Sequence, residues 1–371
     1  MKKKIVITGG HVTPALAVID ELKKRNWQIY FLGRHYASET DKTISMEMEM
    51  LKEKDLTFIP ITAGKIQRHL NRYTLISFLK IPVGFFQALG YLFRIKPQVI
   101  LSFGGYLSVP VVFTGWLLRI PIITHEQTAS HGLASRFNSL FAQKIAISWA
   151  SSRKYFPKEK SVLTGNPIRR DIFKFDKSVW QVFDFDKKRP LIFITGGNQG
   201  SHIINETTEK IINQLVKDYN VFHQIGHLSS DFETLERIRQ KFSSKLRNRY
   251  HCKKYLDSHE MGTFLNKADL VVSRSGANIV TELAALGKPA LLIPIPWAYA
   301  DEQNKNAQLL VEAGTVKILP QDQLTPKRLS QLIKKMISNL NQYKKNSSQA
   351  KKLVKLDAAQ EIVKLAEKLV Q

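Results

Sequence analysis

The sequence of 371 residues contains a single cysteine, Cys252. One cysteine excludes an intramolecular disulfide and a cysteine-rich zinc site, and it favours a reducing cytosol. Apolar runs are short as well, since none reaches the roughly 18 residues that a membrane-spanning helix needs. The first residues, MKKKIVITGG, predict a strand that runs into a turn, and they lack the features of a signal peptide. We therefore expect a globular protein that does not span a membrane.

Acidic side chains are scarce: 31 Asp and Glu stand against 56 Lys and Arg, which gives a net charge of +25. Such an excess calls for an anionic partner, which is nucleic acid, phospholipid or a phosphorylated substrate. Between Leu56 and His125 there is no acidic residue at all. Residues 65–97 mix bases with aliphatic and aromatic side chains, among them Lys65, Arg68, Arg72, Lys80, Phe78, Phe85, Phe86 and Phe93.

A stretch that is both basic and apolar is typical of a segment that binds the surface of an anionic bilayer. Surfaces that bind nucleic acid are basic and polar, and the sequence contains no recognisable nucleic-acid module. The alternative is a buried helix with solvated basic ends. We expect an anionic membrane surface as a partner, and no nucleic acid.

Thirteen short runs rich in β-forming residues, from KIVIT at residues 4–8 to VKIL at 316–319, alternate with patterns of helical period. This alternation predicts an α/β protein with parallel sheets and right-handed crossovers. The length predicts two domains, both Rossmann-like and doubly wound. We place the first at residues 1–165 and the second at 166–342, with GNPIRRDIF as the hinge. Residues 343–371 predict a basic amphipathic helix that packs back towards the first domain.

Four glycine-containing turns follow predicted strands: TGGH at 8–11, SFGGY at 102–106, TGGNQGS at 195–201 and SRSGAN at 273–278. Parallel sheets bind ligands at the carboxyl ends of their strands, where backbone N–H groups at helix N-termini hold phosphates. The turns therefore predict one cleft between the domains that takes a phosphate-bearing ligand. GGNQGS departs from the dinucleotide fingerprint, and no Walker-type loop is present.

Two side chains near the first turns are candidates for acid–base chemistry. His11 follows the glycines of TGGH, and an imidazole with a pKa near 6.5 accepts a proton at neutral pH. The alternative is a surface imidazole in a tight turn. Glu126, in HEQT, is either a second candidate base or the group that orients His11. We expect both residues to be catalytic.

In the second half, Glu282 lies on a predicted helix after SRSGAN, where its carboxylate could accept hydrogens from ribose hydroxyls. A charge on the helix surface is the alternative. Gln303 and Glu302 could bind sugar hydroxyls, with Asp301 as a helix N-cap. The D-x-D string at residues 184–186 precedes a strand and is interpreted as a solvated linker, which disfavours a metal-dependent mechanism.

The order of TGGH, SFGGY, HEQ, GNPIR, GGNQGS, SRSGAN–TELAALGKPALLIPIP and DEQNKNA resembles the nucleotide-sugar-dependent glycosyltransferases of the GT-B fold, and among them the MurG family of peptidoglycan synthesis. The resemblance runs from residue 4 to about 320. It implies two Rossmann-like domains that face a central cleft. It also implies inverting transfer, without cofactor or metal, of N-acetylglucosamine from UDP-GlcNAc to an undecaprenyl-diphosphate-linked muramoyl peptide. The enzyme would be peripheral, on the cytoplasmic face of the cell membrane.

The resemblance also implies a set of substrate-binding residues. Asn198 stands where the family usually has Ser, and Thr128 stands in place of an Asn. The full set for UDP-GlcNAc is Thr8, Gly9, Gly10, Thr128, Arg169, Asn198, Leu256, Ala277, Asn278, Ile279, Val280, Thr281, Glu282 and Gln303.

Two other functions compete with this hypothesis. One is a different lipid glycosyltransferase, such as a diacylglycerol glycosyltransferase, which would share the same cleft. The other is a nucleotide-sugar-binding subunit without activity that is recruited to a membrane. A catalytic His11 speaks against the second.

Overall fold

A computed structural model describes residues 2–36, 45–52, 54, 56–64 and 72–371, and at 46–47 and 72–79 it describes the backbone alone. The chain divides into two compact units. Unit 1 comprises Met1–Ile168 together with Lys355–Gln371, and unit 2 comprises Arg169–Val354.

Each unit contains one fully parallel sheet. The strands of unit 1 are β1 (Lys4–Thr8), β2 (Gln28–Gly33), β3 (Thr57–Pro60), β4 (Val99–Ser102), β5 (Ile122–Glu126), β6 (Lys144–Ile147) and β7 (Ser161–Leu163). Those of unit 2 are β8 (Leu191–Thr195), β9 (Asn220–Gln224), β10 (Tyr250–Lys253), β11 (Leu270–Ser273), β12 (Ala290–Leu292) and β13 (Val316–Ile318). Each predicted strand-forming run overlaps one of these strands, so the predicted α/β fold with two doubly wound sheets is confirmed.

Helices connect the strands and cover both faces of each sheet. They are α1 (Val12–Lys24), α2 (Met46–Leu51), α3 (Arg72–Ile95), α4 (Ser108–Leu117), α5 (Leu133–Phe141), α6 (Lys177–Gln181), α7 (His202–Asp218), α8 (Ser229–Gln240), α9 (Ser244–Arg247), α10 (Ser258–Lys267), α11 (Ala277–Leu286), α12 (Glu302–Glu312), α13 (Pro326–Ser338), α14 (Leu340–Lys345), α15 (Ser347–Lys352) and α16 (Ala358–Val370).

Side chains of β1 show how the core of unit 1 is built. Ile5 and Ile7 point into one cluster with residues of α1 and α16, whereas Val6 points into the opposite cluster with residues of α3 and α4. All three are fully buried, because successive side chains of a strand face opposite sides of the sheet. The three consecutive apolar residues 5–7 of KIVIT are required because helices cover both faces of the sheet.

The C-terminal segment differs from the single helix expected at 343–371. It forms three helices, of which α14 and α15 belong to unit 2 and only α16 belongs to unit 1. Helix α16 packs on α1, where Ile362 and Val363 enter the core and Arg25 donates to Glu367 at 2.6 Å. Gly165, with a φ of +86°, lies against Lys355, the first residue of the C-terminal segment that belongs to unit 1. A side chain at Gly165 would collide with that segment.

The strand order places the glycine turns in pairs. The orders are β3-β2-β1-β4-β5-β6-β7 and β10-β9-β8-β11-β12-β13, so the winding direction reverses between β1 and β4 and between β8 and β11. Thr8 is therefore the neighbour of Ser102, and Thr195 is the neighbour of Ser273. Open α/β sheets bind ligands at this switch point, outside the carboxyl ends of the strands.

Candidate active site

In unit 1 the turns after β1 and β4 lie against each other, backbone to backbone. Gly10 donates its N–H to the carbonyl oxygen of Gly104 at 3.0 Å. Gly9 has a φ of +134°, and a Cβ at this position would lie 2.7 Å from the same oxygen. Any side chain at Gly9 would force the two turns apart, so TGGH needs this glycine for packing as well as for its conformation.

His11 occupies the N-cap position of α1, but its side chain makes no capping hydrogen bond. The first turn of α1 also contains no acidic residue, so the helix N-terminus remains electropositive. The residue keeps an exposed surface, and partial desolvation by the surrounding protein lowers the pKa of His11 below 6.5. The Glu126 carboxylate acts in the opposite sense and raises that pKa to a smaller extent. The imidazole is therefore neutral at physiological pH and able to accept a proton.

Glu126 ends β5 and is held by the turn that follows it. Its Oε1 accepts from the N–H of Thr128 at 2.9 Å and from the Thr128 hydroxyl at 2.8 Å. Its Oε2 accepts from the N–H of Gly132 at 2.8 Å. Because both oxygens are engaged and the side chain is buried, the geometry favours Glu126 as a fixed negative charge near His11. The hydroxyl of Thr128 is used in holding Glu126.

In unit 2 the turns after β8 and β11 lead into two helices that lack side-chain caps. Neither Ser201 before α7 nor Gly276 before α11 makes a side-chain capping bond, and the first turns of both helices contain no acidic residue. The N–H groups of a helix terminus of this kind are available to an anion. Asn198 lies in the first of these turns, where its Oδ1 accepts from Gln224 at 3.4 Å.

Glu282 and Arg169 come together although they are distant in the sequence. Glu282 lies on α11 with 6% of its surface exposed, and its Oε1 is 3.8 Å from an Nη of Arg169. The other Nη of Arg169 donates to Ser258 at 2.7 Å. Burial raises the pKa of Glu282, and the guanidinium opposes this rise. A buried carboxylate with one long ion pair has acceptor capacity left for a ligand.

Gln303 holds two turns together with its carbonyl oxygen. This oxygen accepts from the N–H and hydroxyl of Ser275 at 3.3 and 3.4 Å, and from the N–H of Ile295 at 3.1 Å. The side-chain amide group of Gln303 is therefore the part that can donate to a ligand. The sequence pattern indicated a polar residue for a sugar but gave no means of telling which end of the amide would be used.

The remaining predicted residues follow the course of α10 and α11. Leu256 precedes α10 and its side chain is buried, so only its backbone N–H and carbonyl groups can contact a ligand there. The side chains of Ala277, Val280 and Thr281 are buried, and Asn278 and Ile279 are half-buried. Segment 277–282 thus presents to a ligand chiefly its backbone N–H groups and the Glu282 carboxylate.

Sequence reasoning missed Arg274, which follows β11 in the SRSGAN turn. Only 9% of its surface is exposed, and burial lowers its pKa to about 10. Its Nη atoms donate to Ser201 at 2.8 Å and to the carbonyl of Ile293 at 3.1 Å, so it joins three turns at the carboxyl edge of the sheet. No carboxylate pairs with Arg274 in the described ranges. The sequence feature that could have identified Arg274 is a single arginine directly after an apolar strand.

The D-x-D string proves to be structural. Asp186 accepts from Arg249 at 2.8 Å and from the N–H of Lys188 at 3.1 Å, before β8 begins and hence at the amino edge of the sheet. Asp184 accepts from Asn248 at 2.9 Å. Among the residues that the structure describes, no group of three or more His, Cys, Asp or Glu side chains could hold a metal ion.

Unit 1 also carries an apolar patch formed by α3, α4 and α5. Rings of Phe85, Phe113 and Phe141 join the three helices at centroid distances of 5.3 Å. The most exposed members are Phe86 at 74%, Phe93 at 68%, Leu140 at 67%, Leu133 at 61%, Leu117 at 57% and Trp116 at 46%. Lys65 and Arg68 lie outside the described residues, as do the side chains of Arg72 and Phe78. In the described part of the chain, no helix is long and apolar enough to cross a membrane.

Comparison with known proteins gives two matching family models. These are the glycosyltransferase family 28 N-terminal domain over residues 7–147 and the glycosyltransferase family 28 C-terminal domain over residues 191–362. A relative from Clostridium kluyveri, named UDP-N-acetylglucosamine--N-acetylmuramyl-(pentapeptide) pyrophosphoryl-undecaprenol N-acetylglucosamine transferase, is 34% identical over 372 residues, 99% of each chain. A Bacillus anthracis protein with the same name, numbered 2, is 34% identical over 92% of this chain and 94% of its own.

Solved structures agree with these matches. The crystal structure of Acinetobacter baumannii MurG superposes with a TM-score of 0.71 at 26% identity, and the match covers 99% of both chains. A UDP-GlcNAc 2-epimerase from Neisseria meningitidis, bound to UDP-GlcNAc, superposes with a TM-score of 0.67 at 15% identity over 99% of this chain and 100% of its own. The second similarity concerns the fold alone.

Proposed function

The chain belongs to glycosyltransferase family 28, and from this membership we infer that it transfers N-acetylglucosamine from UDP-GlcNAc to the muramoyl sugar of an undecaprenyl-diphosphate-linked peptidoglycan precursor. It is a UDP-GlcNAc-dependent hexosyltransferase of the MurG type. The relatives' names, with matches over 92–99% of this chain, favour this activity over that of a diacylglycerol glycosyltransferase.

We assign donor binding to unit 2 because of one arrangement there. The uncapped N-terminus of α11 lies beside the buried Glu282 carboxylate and the amide of Gln303. A helix N-terminus suits a diphosphate, a carboxylate suits ribose hydroxyls, and an amide donor suits a sugar hydroxyl. Arg274 adds a buried positive charge that stabilises the negative charge on the departing UDP.

The acceptor chemistry is assigned to unit 1. In an inverting transfer, a hydroxyl of the muramoyl sugar attacks the anomeric carbon as the bond to UDP breaks. His11 accepts the hydroxyl proton, and the fixed charge of Glu126 stabilises the imidazolium that forms. The electropositive N-terminus of α1 next to Gly9 and Gly10 suits the diphosphate of the lipid acceptor.

A direct assay tests the activity. The purified protein is supplied with UDP-GlcNAc and either a lipid-diphosphate-muramoyl acceptor analogue or diacylglycerol, and the products are identified by mass spectrometry. We expect a glycosylated muramoyl product and no glycosylated diacylglycerol. Product from diacylglycerol alone would replace the proposed acceptor with the alternative one.

The apolar patch of unit 1 supports peripheral binding to the cytoplasmic face of an anionic membrane. Phe86 and Phe93 project from α3, and Lys80, Arg94 and Lys96 lie along the same helix and just beyond its end. Exposed large apolar side chains on neighbouring helices are typical of an interaction surface, and the neighbouring bases favour anionic lipid. Each base near such a surface contributes about 1 kcal/mol.

Replacing both Phe86 and Phe93 by serine is expected to reduce vesicle binding at least about 100-fold, because each aromatic ring buried in lipid contributes roughly 1.5–3 kcal/mol. Co-sedimentation with anionic vesicles measures the effect, and binding of the wild type should weaken as salt rises. Phe173→Ser with Val182→Ser removes two exposed apolar side chains of unit 2 and serves as the matched control. If both double variants bind vesicles like the wild type, the patch does not contact lipid.

A further inference from the structure

A row of polar side chains lies next to the glycine loop 196–201 of unit 2. Asp231 of α8 accepts from Asn205 and His202 of α7, each at 2.8 Å. Asn205 in turn accepts from His223 of β9 at 3.0 Å, and His223 is 3.3 Å from the hydroxyl of Tyr250. Asp231 is 9% exposed, and Asn205, His223 and Tyr250 are at most 1% exposed. Only His202, at 71% side-chain exposure, faces solvent.

Both oxygens of Asp231 accept, one from His202 and one from Asn205, and this sets the direction of the other bonds in the row. Asn205 must therefore turn its NH₂ group towards Asp231, which leaves its carbonyl oxygen to accept from Nε2 of His223. The Nδ1 of His223 then accepts from the Tyr250 hydroxyl. Burial lowers the pKa of His223 to about 3, so this ring is neutral, and the contact with the Asn205 oxygen places its one proton on Nε2.

The same NH₂ group of Asn205 also donates to the carbonyl oxygen of Ile225 at 3.1 Å. That carbonyl belongs to the turn after β9 on which the glycine loop rests. A Cβ added at Gly200 would lie 2.2 Å from the Ile225 oxygen, and one added at Gly226 would lie 2.2 Å from the Gly200 nitrogen. The loop and the turn are therefore in direct backbone contact, and the position of Ile225 fixes the position of Gly200.

We propose that Asp231 is a positioning residue for the transfer reaction: by orienting Asn205 it fixes Ile225, and thereby the loop 196–201 before the uncapped N-terminus of α7, which we place with the N-terminus of α11 at the donor diphosphate. This inference rests on the proposed donor role of unit 2. Asp231 does not touch the donor. It lies on α8 and contacts α7, the helix that follows the loop. There its carboxylate holds the buried amide of Asn205 in one of its two orientations.

Asp231→Ala is expected to raise KM for UDP-GlcNAc about tenfold, as for loss of a charge-assisted hydrogen bond, with KM for the acceptor unchanged. Asp231→Asn should restore KM to within about twofold, because its amide oxygen still accepts from Asn205 while its NH₂ group faces the ring of His202. His202→Ala removes one donor from the exposed side and should raise the donor KM about threefold without affecting folding.

Asp186→Ala is the matched control, since Asp186 forms a similar ion pair with the buried Arg249 at the opposite edge of the same sheet. It should leave the donor KM unchanged even if the melting temperature falls. A wild-type donor KM in Asp231→Ala, or an equal rise in Asp186→Ala, would overturn the positioning role.

Calorimetric binding of UDP separates this inference from the proposed function. A wild-type protein that binds UDP but transfers no sugar contradicts the transferase activity. In that case weaker UDP binding in Asp231→Ala than in Asp186→Ala still supports the positioning role, and equal binding rejects it. Should Asp231→Ala fail to fold, His202→Ala and Asp231→Asn decide the question by the same measurements.

Discussion

His11→Ala is expected to lower kcat by about 100-fold or more while the affinity for UDP stays near that of the wild type, as for loss of a general base. The physical reason lies in the surroundings of the ring. Its pKa is lowered by desolvation, so the imidazole is neutral at pH 7, and the Glu126 charge is held in place to stabilise its protonated form. Turnover measured with saturating UDP-GlcNAc and acceptor checks the prediction.

The pH profile gives an independent test of the same assignment. A general base works in its deprotonated form, so kcat/KM should fall only as the pH drops below the lowered pKa of His11, under 6.5. In His11→Ala the residual kcat/KM should no longer show this fall at low pH. Calorimetric UDP binding and the melting temperature control for misfolding. If the variant turns over at the wild-type rate, His11 is not the base, and Glu126→Gln becomes the next variant to measure.

Glu282→Ala is expected to raise KM for UDP-GlcNAc about tenfold or more and to leave kcat nearly unchanged. Ribose hydroxyls are bound in the ground state and transition state alike, and a hydrogen bond to a charged acceptor contributes roughly 1.5–3 kcal/mol. Glu312→Ala, on the exposed face of α12, is the matched control and should leave KM unaltered. A fall in kcat with constant KM would contradict the ribose role.

Arg169 complicates this measurement, because Glu282→Ala also leaves its guanidinium without the carboxylate 3.8 Å away. A double-mutant cycle with Arg169→Ala separates the two contributions. If Glu282 binds ribose directly, the double variant Arg169→Ala with Glu282→Ala should have a clearly higher KM for UDP-GlcNAc than Arg169→Ala alone. Full non-additivity would mean that Glu282 acts only by holding Arg169.

Local pattern was sufficient for the strands and the turns. Residues 5–7 of KIVIT are all apolar because helices cover both faces of its sheet, and central strands covered in this way share such a consecutive apolar pattern. Gly9 and Gly200 were likewise visible in the sequence, since a positive φ and a close backbone approach both demand glycine. The C-terminal pattern was less informative: it marked an amphipathic segment but did not reveal that α14 and α15 pack with unit 2 while α16 packs with unit 1.

The sequence by itself determined the two parallel-sheet units, the glycine turns at strand ends, and His11, Glu126 and Glu282 as candidates, because each depends on residue types within one short segment. Only the tertiary structure decided which turns lie side by side, since strand order is set by packing of whole crossovers. It alone oriented the Gln303 amide and brought Arg274 to Ser201 and Asp231 to Asn205. Such pairings join residues from different elements, and their strength comes from burial, which no local pattern records.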